Sequence, residues 1–292
     1  MRGILTRGVG GFYYALDESG QMQTVRAQGK LRRDRRKPKV GDICEVTPGN
    51  DDEHGWILSI AQRRNELTRP PVANIDVIVV VVAAATPDPD LMLTDRMLVL
   101  AKRAGIAAQL VVNKRDLDPA RAEAILRQYR GADVSPISVS ANDPDSLTPL
   151  KEALLGKTHA LAGQSGAGKS TLINALYGLS QETGDLSRKI ERGKNTTRHC
   201  ELVPVEGGGM VLDTPGFSLL ETDVFDPVEL KDAWREFAPY EGKCYFKPCY
   251  HDAEPRCAVL DAVKNGAIDP ERHERYRALL NALKTEWRNR YD

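Results

Sequence analysis

Residues 163–170, Gly163-Gln164-Ser165-Gly166-Ala167-Gly168-Lys169-Ser170, constrain this chain more than any other stretch. Two glycines with four residues between them, followed by Lys-Ser, form a phosphate-loop pattern. A strand-like run, His159-Ala160-Leu161-Ala162, leads in, and a helix is expected over Thr171–Leu179. That order has a physical cause: small residues let backbone N–H groups turn inward around phosphates, and the helix N-terminus adds a favourable dipole. Lys169 is expected to reach β- and γ-phosphates, and Ser170 to ligate Mg²⁺. Thr171 completes the expected contact set. A chain carrying this unit must build a strand, loop and helix into an α/β layer.

Further motifs fit one nucleotide site. Asp213-Thr214-Pro215-Gly216 follows the apolar run Gly209-Met210-Val211-Leu212; Asp213 is the expected Mg²⁺-side carboxylate and Gly216 the amide that senses a γ-phosphate. Between it and the phosphate loop lies Gly193-Lys194-Asn195-Thr196-Thr197-Arg198, in a polar stretch without periodicity. A threonine there contacts Mg²⁺ when the γ-phosphate is present, with Thr197 the first choice and Thr196 the second. Asn113-Lys114-Arg115-Asp116 ends a strand-like run. The Asp116 carboxylate can accept from both N1–H and the exocyclic amine of guanine, a pair adenine does not offer. Lys114 would lie along the base and Asn113 would brace the loop. Ser138-Val139-Ser140-Ala141 supplies a second base-side loop, with Ser140 and Ala141 its contact residues. Together these imply a guanine-nucleotide site; an ATPase or small-molecule kinase is disfavoured by residues 113–116.

The motifs stand in an unusual order. Base-reading loops ordinarily follow the phosphate loop; here they precede it, so the domain is circularly permuted. Closing the old termini and opening a surface loop leaves a packed core unchanged. The rest of the segment alternates as an α/β fold requires. Asn74–Ala85 is nearly continuous β-branched text, which suits a strand buried on both faces. Helical periodicity through Leu91-Met92, Met97-Leu98 and Leu100-Ala101 ends at Gly105. A strand (Ala107–Val112), a helix (Pro119–Tyr129), a strand (Val134–Val139) and a helix (Ser146–Leu154) follow.

Before this segment, apolar positions alternate in Gly11–Leu16, Gln23–Ala27, Asp42–Val46 and Gly55–Ile60, punctuated by Gly, Asp and Asn. Short strands in such number suggest a small closed barrel, with the OB-fold the natural candidate. Charge balances over the whole chain, 41 basic against 41 acidic residues, but not locally. Between Arg26 and Lys39 stand eight basic residues and one acidic, Asp34. A loop of that charge beside a barrel is expected to contact RNA backbone without reading sequence. Arg69-Pro70-Pro71 marks a boundary.

Past Asp223 the text turns helical. Cys244, Cys249, His251 and Cys257 give the spacing Cys-x4-Cys-x-His-x5-Cys. Three thiolates and an imidazole suit a closed, structural Zn²⁺ site. The text ends in a charged amphipathic helix, Pro270–Arg290, that leans basic and either adds phosphate contacts or packs on the zinc module. Five cysteines in all, an odd count, point to a reducing compartment rather than a disulfide framework. Cys44 and Cys200 fall in strand patterns and are expected in cores. The longest apolar run, Val77–Ala85, is nine residues, too short for a bilayer span of about 20. The N-terminus lacks the apolar block of a secretory signal, so a cytoplasmic protein is expected.

With these motifs in this order, the chain resembles the ribosome small-subunit-dependent GTPase A family, bacterial circularly permuted GTPases of late 30S assembly. The resemblance spans the whole chain. It implies an OB-fold over residues 1–69, a permuted GTPase domain over 70–222 and a helical zinc-binding domain over 223–292. It further implies hydrolysis of GTP to GDP stimulated by the 30S subunit and contacts to 16S rRNA by the flanking domains; a monomer is expected. Two positions depart from GTPase patterns. Phe217 stands where many GTPases place a water-orienting Gln after Asp-x-x-Gly. Asn195 stands where the family commonly carries a His before its Thr-Thr pair, leaving His199 as a substitute candidate. Catalysis would then rest mainly on Lys169, Mg²⁺ and backbone amides. The rival reading is an RNA-binding assembly placeholder in which GTP sets affinity and turnover is incidental.

Overall fold

The structure is a computed structural model and describes residues 1–29, 31, 37–49, 54–179, 200–213 and 224–290. Strands β1 (Arg2–Val9), β2 (Phe12–Asp17), β3 (Met22–Ala27), β4 (Ile43–Thr47) and β5 (Gly55–Ile60) form a barrel. Its pairing order is β1-β2-β3-β5-β4 and back to β1, with β3 and β5 parallel. Strand alternation turns Leu5, Ala15, Val25, Val46 and Ile57 inward, each fully buried. The β1–β2 turn is Gly10-Gly11, at φ 59° and 85°, left-handed values that a tight hairpin needs and glycine supplies. Strand β1 itself was not foreseen: Arg2 and Arg7 interrupt its apolar text, and its pairing with both β2 and β4 is what makes it a strand.

The second sheet comprises β6 (Val77–Ala83), β7 (Ala107–Asn113), β8 (Ile137–Ser138), β9 (Thr158–Gly163), β10 (Glu201–Pro204) and β11 (Met210–Asp213). Its order is β10-β11-β9-β6-β7-β8, all parallel except β10. Helices α1 (Leu91–Arg103), α2 (Pro119–Gln128), α3 (Thr148–Leu154) and α4 (Lys169–Tyr177) cover the two faces. Every residue of β6 is buried. Ile78, Val80 and Val82 enter a core with Met97, Ala101 and Ile125 from α1 and α2, while Val77, Val79 and Val81 meet Leu150, Leu172 and Leu176 from α3 and α4. Period-two alternation with helices on both sides explains the unbroken apolar run. The strand expected over Val134–Val139 shrinks to Ile137–Ser138, because Pro136 has no N–H for the ladder and Ser135 gives its carbonyl to Gln109 Nε2.

Barrel and sheet are one ladder. Arg7 of β1 registers with Glu201 of β10, making an 11-stranded sheet. Around Arg69-Pro70-Pro71 the two parts are in contact: Val40 bridges Val72, Glu66 bridges Ala73, and Val40 and Leu67 share a core with Val72 and Ile75.

The C-terminal part holds two 3₁₀ turns, Pro227–Ala233 and Arg235–Tyr240, then α5 (Ala258–Lys264) and α6 (Pro270–Arg288). Asp269 caps α6 by accepting from the Arg272 N–H, with Pro270 at the first turn where its missing donor costs nothing. Trp234, Phe237 and Tyr276 form its centre, with ring centroids 5.0 and 4.9 Å from Tyr276. This part docks on α1 through buried charge. Asp95 accepts from Arg272 Nη1 at 2.5 Å and Arg275 Nε at 2.6 Å, and Arg272 also pairs with Glu236. The Arg272 guanidinium lies 4.5 Å from the Tyr129 ring centre. Arg277 and Lys284 pair with Asp252, and Arg290 donates to the Val224 carbonyl. Arg277 and Lys284 thus pack on the expected zinc module, whereas Arg272 and Arg275 reach α1 instead. Cys44 is buried in β4, whereas Cys200 is only half-buried just ahead of β10. No described helix is long and apolar enough to cross a membrane.

Candidate nucleotide site and metal centre

The phosphate loop runs from the end of β9 into α4, so its direction is set by a strand buried in the middle of the sheet. Gly163 has φ 144°, and a Cβ there would stand 2.1 Å from the Val81 carbonyl oxygen of the neighbouring strand. Gly168 has φ 94° and caps α4 from the left-handed region. Ala167 is fully buried, Ser165 and Gly166 are exposed, and Gln164, Lys169 and Ser170 are half-buried. The Gln164 side-chain oxygen accepts from the Asp90 N–H at 3.3 Å. Thr171 sits exposed on the first turn of α4. The Lys169 ammonium curls back onto the loop, donating to the Gly163 and Gln164 carbonyls at 2.7 and 2.9 Å. Burial lowers its pKa from the ordinary lysine value.

The loop after β7 meets this one directly. Asn113 Nδ2 donates to the Ala167 carbonyl at 2.9 Å, and Lys114 Nζ to the Gly166 carbonyl at 2.8 Å and the Thr86 carbonyl at 2.5 Å. Lys114 takes φ 61°, a value few side-chain-bearing residues adopt, which turns the chain over the phosphate loop. Asn113 Oδ1 is buried with no hydrogen-bond partner among the described residues. Asp116 is exposed at the mouth of the same loop. Arg115 holds the 138–143 loop alongside through Asp143, at 2.8 Å. Within that loop the Ser140 N–H donates to Ser146 Oγ at 3.0 Å, while Ser146 donates onward to the Asp143 carbonyl at 2.6 Å. Ser140 is buried and Ala141 half-buried beside it. Ser146 and Asp143 were not singled out from sequence; a serine that organises a neighbouring loop leaves no periodic signal.

Asp213 ends β11, the strand paired with β9, so it emerges beside the phosphate loop. Its carboxylate and the Ser170 hydroxyl are hard oxygen donors of the kind Mg²⁺ takes. Asn195, Thr196, Thr197, His199, Gly216 and Phe217 lie outside the described residues, as does most of the basic stretch 30–39.

The metal centre is compact. Ligand atoms of Cys244, Cys249, His251 and Cys257 all lie within 4.8 Å of one another, and all four residues are buried. Sulfur pairs stand 3.8 and 3.7 Å apart, and His251 Nδ1 lies 3.6 Å from Cys244 Sγ and 3.3 Å from Cys257 Sγ. A tetrahedron with Zn–S bonds of about 2.3 Å has sulfur–sulfur edges of roughly 3.8 Å. The donor set therefore fits structural zinc, with no position left for substrate. Behind it, Glu241 Oε1 stands 3.3 Å from His251 Nε2, the outer carboxylate that commonly orients a metal-bound imidazole. Positive φ at His251 and Arg256 bends the ligand loop onto itself.

Family comparison matches residues 60–223 to the RsgA GTPase model and residues 2–57 to the RsgA N-terminal domain model. The chain belongs to the RsgA GTPase family. A relative from Caldanaerobacter subterraneus subsp. tengcongensis, named small ribosomal subunit biogenesis GTPase RsgA, is 41% identical, covering 100% of this chain and 98% of its own. One of the same name from Clostridium novyi is 40% identical over 100% of both. The crystal structure of YjeQ from Thermotoga maritima superposes with a TM-score of 0.82 at 33% identity, over 97% of this chain and 98% of that one. That of YloQ, described as a circularly permuted GTPase, gives 0.80 at 33% identity over 98% and 95%. This RsgA-family chain thus carries a permuted GTPase fold between a five-stranded barrel and a Cys₃His centre.

Proposed function

We propose that this chain hydrolyses GTP to GDP and phosphate as a biogenesis factor of the small ribosomal subunit, bound to 16S rRNA through its flanking parts. The names of full-length relatives near 40% identity support the class of activity. One observation in the fold carries the nucleotide assignment: Asn113 and Lys114 hydrogen-bond the phosphate loop itself, so a base held by Asp116 and phosphates held at Lys169 belong to one ligand.

Roles follow from position. Asp116 reads the guanine edge, Lys114 lies along the base, and the Ser140-Ala141 backbone closes the base pocket. Backbone amides from Gly163 to Ser170 cradle the phosphates with Thr171 at the helix start. Lys169, whose donors now satisfy loop carbonyls, turns to phosphate oxygens and neutralises charge developing there. Ser170, Asp213 and Thr197 would hold Mg²⁺, which supplies further charge neutralisation. Phe217 cannot orient water, so hydrolysis by the isolated chain is slow and the ribosomal partner, or Asn195 or His199, aligns the nucleophile. The working division is residues 1–69 for RNA, 70–222 for GTP and 223–292 for the zinc-stabilised module, in a cytoplasmic monomer.

Steady-state GTP turnover with and without purified small subunits tests this reading. A rise of at least about 10-fold with subunits is expected from the missing water-positioning group. A flat rate alongside nucleotide-dependent subunit binding would instead support a placeholder that uses GTP as a ligand.

A further inference from the structure

We propose that the outer face of the barrel carries a stacking site for an unpaired RNA base, built on Phe12, Arg26 and Trp56. The three residues lie in one row across three strands: Phe12 registers with Arg26, and Arg26 with Trp56. Paired positions in a ladder face the same way, and the alternate residues Ala15, Val25 and Ile57 fill the barrel interior, so the row faces outward. Trp56 is 44% exposed, so much of a large amphipathic indole face is open to a partner. The Arg26 guanidinium lies 4.6 Å from the Phe12 ring centre, and His54 meets Phe12 edge-on at 4.7 Å.

Charge points to the occupant. Among the described residues many arginines are paired with carboxylates, as Arg63, Arg64, Arg103, Arg115 and Arg121 are. Arg26 has no carboxylate partner among the described residues and lies against an aromatic ring instead. Among the described residues the outward positions around it, Tyr14, Thr24 and Leu58, bring no acid. Flat π faces next to a guanidinium with no carboxylate partner among the described residues, spaced one strand apart, match a nucleobase and its adjoining phosphate. An apolar protein partner would demand a wider uncharged area than a single row with a cation at its centre. The β2–β3 face is also where OB-type barrels hold oligonucleotides in general. The inference rests on the barrel meeting RNA, and it changes what is expected there: single-stranded RNA gripped by its bases, in addition to phosphate contact by basic residues.

The test uses the full chain and a labelled, unstructured oligoribonucleotide, with an abasic oligonucleotide of equal length as control. Binding is read by anisotropy and by quenching of Trp56 fluorescence, isolated by difference against Trp56→Tyr. Trp56→Ala should weaken the base-bearing strand on the order of 10-fold and leave the abasic strand unaffected. Trp56→Tyr should restore affinity to within about 3-fold. The salt dependence should keep its slope in Trp56→Ala and lose roughly 0.7 in Arg26→Ala, one phosphate's worth. Wild-type affinity in Trp56→Ala, equal binding of base-bearing and abasic strands, or a duplex competing as well as the single strand would each overturn the site. Turnover with small subunits, measured on the same samples, separates the two readings. Intact stimulation with no Trp56 effect sinks the stacking site alone; quenching without stimulation sinks the proposed role on the ribosome alone.

Discussion

Asn113 Nδ2 donates to the Ala167 carbonyl at 2.9 Å across 54 residues of chain, and that bond fastens the base-side loop to the phosphate loop. Gly168 is the reason the two can approach. A Cβ at Gly168 would fall 2.3 Å from the same Nδ2, at a φ of 94° that side-chain-bearing residues rarely adopt. Gly168→Ala is therefore expected to push Asn113 off Ala167 and cost about 1–3 kcal/mol of stability. Guanine-nucleotide affinity should fall with it. Urea unfolding with and without GDP reads both effects; unchanged midpoints in the two series would show that the contact is not strained by the methyl group.

Asp116→Asn should invert base preference. A carboxylate accepts from N1–H and the exocyclic amine of guanine, whereas an amide can donate to the exocyclic oxygen of xanthine. GDP affinity should drop by about 100-fold or more while XDP gains, because an unmet buried polar pair is expensive. Competition against a fluorescent nucleotide measures the ratio. A preference still favouring GDP would remove Asp116 from the base pocket.

Asp95 joins α1 to α6 through Arg272 and Arg275, and its side chain has no solvent exposure. Asp95→Ala leaves two guanidiniums facing a site without their shared acceptor. Breaking a buried pair in this way costs about 3–5 kcal/mol, so the chain should unfold at clearly lower denaturant, or in two steps with the C-terminal part first. Guanidinium titrations followed by tryptophan emission would report it, since Trp234 sits in that core. A loss under about 1 kcal/mol would mean that Glu236 alone satisfies Arg272.

His159 makes stability depend on pH. Burial lowers its pKa from the ordinary histidine value. The Tyr177 hydroxyl donates to Nε2 at 2.9 Å, and Nδ1 donates to the Lys157 carbonyl at 3.0 Å, so the folded ring is neutral. The unfolded chain takes up a proton near pH 6.5 that the folded chain refuses. Its contribution is thus complete above about pH 6.5 and declines as pH falls toward the lowered folded value. Urea midpoints at pH 7.5 and 5.5 should differ more for the wild type than for His159→Leu; equal differences would place the acid sensitivity elsewhere.

Local text determined much of this protein because the relevant physics is local. The phosphate loop needs its glycines and Lys169 in sequence; β6 needs an unbroken β-branched run; four metal ligands within one short loop show their own spacing. Permutation was legible for the same reason, since each motif keeps its identity wherever the chain is cut. Other features are set only by what lies opposite in space. Arg2 and Arg7 hide strand β1 until β2 and β4 pair with it, and nothing near Arg7 announces that Glu201 continues the ladder into the second sheet. Arg272 and Arg275 look like a basic face until Asp95, far earlier in the chain, claims them. The Phe12–Arg26–Trp56 row exists only because β3 lies between β2 and β5. Sequence spacing encodes contacts made within a turn or a strand; partners brought together by sheet order and helix docking become visible only when the chain is folded.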